Sequence, residues 1–250
     1  MDFYAYCLLR LKPNEFWPVM QGIDDRPVFP LRCGKYAMLL SRLERGFPFD
    51  PRSIVEHGQI IARVFESQTV LPMRFGTFFH SEKQIVNLIR GNQEELLEAF
   101  CRLRGKAEMR LKYVFQPDSS EAKIEKKPPQ KTLCMTSSCS NAAGCPLDAR
   151  NKDLAHQLMA RMSNMFHPLE QHIFCRLIHS RELLVDCAHL IDSQKVETYQ
   201  KMHSLASEQE KEWDLKISGP WPPYHFLPAS VRMPAPSAFP VLRRVSVGAR

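Results

Sequence analysis

Hydrophobic residues fill the stretch from Phe3 to Leu11 on both alternating faces, interrupted only by Arg10. A strand with that pattern belongs inside a sheet, covered above and below. Pro27–Arg32 and Tyr36–Ser41 are short extended runs flanking Cys33-Gly34, the composition of a hairpin. Asp50-Pro51 supplies a helix N-cap followed by proline at the first helical position. The helix it opens sets Ile54, Ile61 and Phe65 on one stripe, with Gly58 between them and His57 facing roughly with Ile54 and Ile61. Val70–Phe75 returns to strand. Ser81-Glu82-Lys83-Gln84 is a capping box ahead of Ile85, Leu88 and Ile89. Gly91 ends that helix, and Asn92 caps another with Leu96, Phe100 and Leu103 on its buried face. From Lys106 to Phe115 the alternation is unbroken, with Ala107, Met109, Leu111, Tyr113 and Phe115 on one face and Lys106, Glu108, Arg110 and Lys112 on the other. Strands and amphipathic helices in this order predict a sheet covered by helices on one face.

The pattern breaks between Gln116 and Gly144, where serines, lysines and Pro128-Pro129 leave almost no apolar period. Beyond it, Leu154, Leu158, Met162 and Phe166 mark a helix that His167-Pro168 stops or kinks. Ile173–Ile178 and Leu183–Ile191 read as paired strands. Val196, Tyr199, Met202 and Ala206 mark a further helix, and Trp213, Leu215 and Ile217 alternate through a last strand. A helix, two strands, a helix and a strand resemble a ferredoxin-like unit whose first strand is missing or disguised. The expected fold class is therefore α+β, with two small domains: an N-terminal α/β sheet-and-helix domain over 1–115, a linker or irregular excursion over 116–147, a C-terminal ferredoxin-like domain over 148–227, and an irregular, flexible basic tail over 228–250.

Composition narrows the function classes. At 250 residues with 44% hydrophobic and 24% charged residues the chain is ordinary globular material, long enough for two cores. No apolar run approaches the roughly 18 residues of a membrane span, and no basic stretch precedes the first apolar run as in a signal peptide, so a cytoplasmic protein is expected. The net charge of +7 includes Arg232, Arg243, Arg244 and Arg250 in the tail, which leaves +3 for the first 227 residues. That body carries no basic run suited to tracking phosphates, so no nucleic-acid partner is expected. Among the eight cysteines, Cys134, Cys139 and Cys145 form C-x4-C-x5-C, without the C-x2-C half-site of a zinc module. A metal there would need a fourth ligand such as His156; the bland reading is incidental loop cysteines.

Catalytic signatures are equally scarce. The ten glycines form no phosphate-binding loop, and neither H-E-x-x-H nor G-x-S-x-G occurs. Cys187 and His189 share a strand face, yet nothing nearby supplies the environment that activates a thiolate. A packed core cysteine and histidine is the plainer reading, as is a packed His57. No catalytic, cofactor or metal residue is expected. Arg74 stands at an apolar strand end, Leu71-Pro72-Met73-Arg74-Phe75-Gly76-Thr77, where a charge needs a partner. Either it pairs with Glu108 and fixes strand order, or its stem covers apolar surface while its head reaches water. The segment Ser218-Gly219-Pro220-Trp221-Pro222-Pro223-Tyr224-His225-Phe226 is too rich in proline for helix or central strand. It is either a rigid clasp packing Trp221 and Tyr224 on the domain, or an aromatic surface of Trp221, Tyr224 and Phe226 that docks a partner.

Three strings taken together, Val70 to Thr77, Arg104-Gly105-Lys106-Ala107-Glu108 and the closing Ser218 to Phe226, resemble the gas vesicle GvpF/GvpL family in order and separation. His57 ahead of the first string resembles a histidine commonly found there in that family. The resemblance covers roughly residues 3 to 227; Ala143 to Asp148, where family members carry a glycine-led tyrosine-leucine segment, departs from it. It implies two α+β domains, no catalysis and no cofactor. It also implies a gas vesicle accessory protein that binds the small hydrophobic shell protein, in company with other accessory proteins, and assists assembly or remains as a minor shell component. The alternative is an adaptor of the same fold serving a different complex.

Overall fold

A computed structural model describes residues 2–11, 17–44, 46–115, 157–158, 160–162, 164–167, 169–176, 183–209 and 213–231. The expected linker over 116–147, the cysteines Cys134, Cys139 and Cys145, His156, and the tail beyond residue 231 lie outside the described residues. The chain forms two compact units. The first comprises Met1–Met109, Leu190–Gln194 and Gly219–Arg250; the second comprises Arg110–His189 and Lys195–Ser218. The division falls inside the long alternating strand rather than after residue 115, and the closing string belongs to the first unit from Gly219 onward.

The first unit is built on a sheet in the order β2-β3-β4-β1-β5, with β6 also paired to β1. Its strands are β1 (Asp2–Arg10), β2 (Met20–Gln21), β3 (Pro27–Cys33), β4 (Tyr36–Leu43), β5 (Val70–Pro72) and β6 (Phe78–Phe79). The uninterrupted apolar run of β1 takes an interior position, antiparallel to β4, β5 and β6. Its register against β4 shifts between Ala5 and Cys7, a β-bulge that places one extra residue, Tyr6, in the strand. The bulge switches the inward alternation, so Tyr4, Tyr6, Cys7, Leu9 and Leu11 all join one core cluster.

Helix α1 (Pro51–Phe65) covers that face. Asp50 caps it as expected, accepting from the Ser53 N–H at 2.7 Å. Its buried residues are Ser53, His57, Ile60, Ile61 and Val64, whereas Ile54 is 54% exposed. The expected stripe through Ile54, Ile61 and Phe65 is therefore rotated, because His57 is drawn inward by polar partners in the core. Helices α2 (Glu82–Gly91) and α3 (Gln93–Leu103) pack against the opposite face, where Tyr36 of β4 stacks on Phe100 of α3 with centroids 5.7 Å apart. The sheet is covered on both faces, not one. Asn92 does not cap α3 through its side chain; its amide instead donates to the Leu88 carbonyl at 2.7 Å and closes α2.

The second unit holds most of a four-stranded sheet in the order β10-β7-β9-β8, formed by β7 (Lys106–Phe115), β8 (Glu170–Arg176), β9 (Leu183–Asp192) and β10 (Trp213–Trp221). Two helices lie between its strands in sequence: helical residues 157–158, 160–162 and 164–166, together α4, and α5 (Val196–Gln209). Leu158, Met162 and Phe166 are buried as their spacing requires, and His167 follows as a turn. Phe166 stacks on Tyr199 of α5 at 4.5 Å, and the Tyr199 hydroxyl meets Nδ1 of His189 at 3.0 Å. Arg110 reaches the buried Asp186 with both Nε and Nη2, a bidentate ion pair. The first strand of this sheet is β7, which the sequence pattern assigns to the N-terminal domain.

The two faces of α1 give a direct test. Ile54→Ser should change unfolding free energy by less than about 0.5 kcal/mol, whereas Ile61→Ala should lower it by about 2–5 kcal/mol. Urea titration at pH 7 measures both, and comparable losses at the two positions would overturn the assignment of faces.

Candidate functional site

Apart from Ser218, the three motif strings fold into the first unit, where two polar constructions hold them. The first is buried beneath α1. His57 Nε2 lies 3.2 Å from the Met73 carbonyl oxygen, and Nδ1 lies 2.7 Å from the Tyr4 hydroxyl. A carbonyl only accepts, so Nε2 carries the proton and Nδ1 accepts from Tyr4. The same hydroxyl accepts from the Gly76 N–H at 3.4 Å. Tyr4 and His57 thereby fasten both ends of Met73 to Gly76 to the core. Beside them the Tyr6 hydroxyl accepts from Ile23 N at 2.9 Å and donates to Ser41 Oγ at 3.1 Å, and Ser41 donates onward to the Pro27 carbonyl at 3.0 Å. A Cβ on Gly22 would collide with the Tyr6 ring, so glycine is required where that ring passes.

The second construction is a strap. Residues Gly219 to Val231 run back along α3 and the start of β7. Glu108 is 1% exposed, and its carboxylate accepts from His225 twice, from the main-chain N–H at 2.8 Å and from ring Nδ1 at 2.6 Å. Arg102 Nη2 donates to the Phe226 carbonyl at 2.7 Å, and Glu95 accepts from the Ala229 N–H at 2.8 Å. Gly219 has φ +124°, and a Cβ there would stand 2.8 Å from the Glu108 carbonyl oxygen and 2.9 Å from Met109 Sδ. Pro220 is tolerated because β10 is an edge strand.

The expected site residues fall into different classes. Glu108 does not pair with Arg74: its carboxylate is taken by His225, Arg74 is exposed at a turn, and no ion pair joins the two among the described residues. Phe226 is 8% exposed and Tyr224 packs on the main core cluster, with its hydroxyl pKa pushed up by burial, so both anchor the strap. Trp221 is 46% exposed. A docking surface made of all three aromatics is therefore reduced to one, presented by a strap that the other two hold. Cys187 and His189 are both fully buried, and His189 turns Nδ1 to Tyr199. Among the described residues no group of three or more His, Cys, Asp or Glu is placed to hold a metal.

The residues that sequence reasoning missed are Tyr4, Tyr6, Arg102 and His225. Two tyrosines inside an apolar run broken only by Arg10 carry a signal, since a buried hydroxyl needs a partner and the nearest buried-face histidine is His57.

Burial depresses the His57 pKa to about 4, against its ordinary 6.5, because an imidazolium there would lose its hydration. The folded pKa lies below the unfolded one, so His57 leaves stability intact above pH 6.5 and removes it as the pH falls toward 4. Between pH 7 and pH 5 the loss should be about 2 kcal/mol. His189, depressed likewise, adds its own slope in the second unit. Urea unfolding of His57→Gln should show a pH dependence flatter by that amount, whatever its absolute stability; an unchanged slope would contradict the neutral, enclosed imidazole.

The family model described as gas vesicle synthesis protein GvpL/GvpF matches residues 2–228. Gas vesicle protein F1 of Halobacterium salinarum is 21% identical over 174 residues, covering 68% of this chain and 67% of the relative. The crystal structure of gas vesicle protein GvpF from Anabaena sp. superposes with a TM-score of 0.68 at 15% identity, covering 90% of this chain and 95% of the other. That of GvpF from Microcystis aeruginosa gives 0.67 at 17% identity, covering 90% and 98%. At these identities the solved structures establish the fold, a mixed α and β architecture, and the match along residues 2–228 establishes the kinship: the chain belongs to the gas vesicle GvpL/GvpF family.

Proposed function

We propose that this protein is a gas vesicle accessory protein that binds the small hydrophobic shell protein, alongside other accessory proteins, and assists vesicle assembly or remains as a minor shell component. The observation that carries this reading is Trp221, 46% exposed on a strap whose neighbours are fastened by Glu108, Arg102 and Glu95. A large aromatic held out on a rigid backbone loses little conformational freedom on binding, which is the economy of an interface anchor. A shell that excludes water needs subunits with extended apolar faces, and such faces aggregate unless a partner covers them.

Binding rather than catalysis fits the polar groups. The buried imidazoles of His57 and His189 are held neutral, and their hydrogen bonds hold core elements together. The reading extends to a cytoplasmic location; no helix among the described residues is long and apolar enough to cross a membrane. The run β7-α4-β8-β9-α5-β10 with sheet order β10-β7-β9-β8 supports regarding the second unit as ferredoxin-like, with β7 as its first strand.

Affinity purification of the tagged full chain from its native host tests the role. Recovery of a small, very hydrophobic shell protein is expected, with Trp221→Ala reducing it by about tenfold or more and Trp221→Phe retaining most of it. Undiminished recovery by Trp221→Ala would move the contact elsewhere. Recovery of an unrelated complex in place of the shell protein would favour the adaptor alternative.

A further inference from the structure

Arg10, the one interruption in the apolar run of β1, has no role in the strap or in the His57 network. It lines a cavity of about 470 Å³ at one end of the first unit's sheet. Lys35 enters from the β3–β4 turn, Arg104 from the turn after α3, and Gln68 and Thr69 from the segment before β5. Phe100, 2% exposed, forms an apolar wall with its ring stacked on Tyr36. Lys35 Nζ sits 5.5 Å from the Tyr36 centroid, so its ammonium rests on the same aromatic stack.

Three cations from three separate segments thus border one concavity, and no carboxylate lines it among the described residues. None of the three makes an ion pair with a described residue. Like charges gathered this way repel, and the repulsion is relieved by an anion of matching charge. A monovalent anion leaves two cations unbalanced. Two guanidiniums and an ammonium suit phosphate oxygens, with the Thr69 hydroxyl and Gln68 amide as further donors. The volume exceeds the needs of a bare ion and falls in the usual range for small-molecule sites, roughly 300–1,000 Å³, which leaves room for an organic moiety beside the phosphates.

We propose that this cavity is a binding site for a small organic diphosphate, its anionic end held by Arg10, Lys35 and Arg104 and its organic part in the remaining volume. The proposal stands apart from the shell-binding reading and involves none of the same residues.

Isothermal titration of the full chain with ADP, at constant ionic strength, tests it. Saturable binding is expected, weakened about tenfold or more by Arg10→Gln and again by Arg104→Gln, in line with loss of a charged hydrogen bond. Lys35→Gln, at an exposed turn, should weaken it without disturbing the fold, and Lys201→Gln on α5 should leave it unchanged. Pyrophosphate binding as tightly as ADP supports the same site, with recognition resting on the diphosphate. Absence of saturable heat, affinity unmoved by the three cavity variants, or citrate binding as well as ADP would overturn the proposal.

Discussion

A carboxylate with 1% exposure costs several kcal/mol to desolvate unless its oxygens are satisfied, and for Glu108 both are satisfied by one residue. Because His225 supplies its main-chain N–H as well as its ring, the interaction fixes a backbone position and a rotamer together. A carboxylate oxygen accepts, so Nδ1 carries a proton whichever charge the ring bears. Once His225 is placed, the next residues have little choice: the Phe226 carbonyl meets Arg102, and Ala229 meets Glu95. Upstream, Gly219 must pass the Glu108 carbonyl at a distance no side chain permits. The strap's register along α3 and β7 follows from that one buried charge.

Beneath α1 the unit uses neutral hydrogen bonds for the same purpose. Regular alternation turns Tyr4 and Tyr6 toward α1, and the bulge at Tyr6 then brings Cys7, Leu9 and Leu11 to the same face. Tyr4 then has a histidine to meet, and α1 rotates to deliver it. That rotation exposes Ile54 and buries Ser53, an arrangement that an apolar count alone does not favour. The polar network sets the helix's orientation, and the apolar residues Ile60, Ile61 and Val64 complete the contact.

Local pattern therefore exposed the elements better than their partners. The unbroken alternation of β7, the caps at Asp50 and Ser81, and the Leu158–Met162–Phe166 spacing are properties of neighbouring residues, and each appears where the period places it. Which sheet β7 joins depends on β9 and β10, far along the chain, and no local period encodes that. The alternation of β7 places Glu108 on the polar face with Lys106, Arg110 and Lys112, and nothing local names its partner. The residue that covers it lies 117 positions later. Of the two readings of Arg74, the exposed position agrees with the one in which its head reaches water: the turn that carries it opens to solvent.

The closing string shows why a short sequence can be so distinctive. Gly219 is required by close approach, His225 by the buried carboxylate, Tyr224 and Phe226 by the core they pack on, and Pro220 is admitted by the sheet edge. Each of these is a demand of folding, met inside the unit. Trp221 sits among them with nearly half its surface in solvent, on the strap that these contacts hold. Indole surface left in water at a fixed position favours association whenever a complementary apolar face is at hand, since its ordering has already been achieved by the strap. The folding constraints thus account for the residues around Trp221 and also supply the rigidity that makes an exposed aromatic useful to a partner.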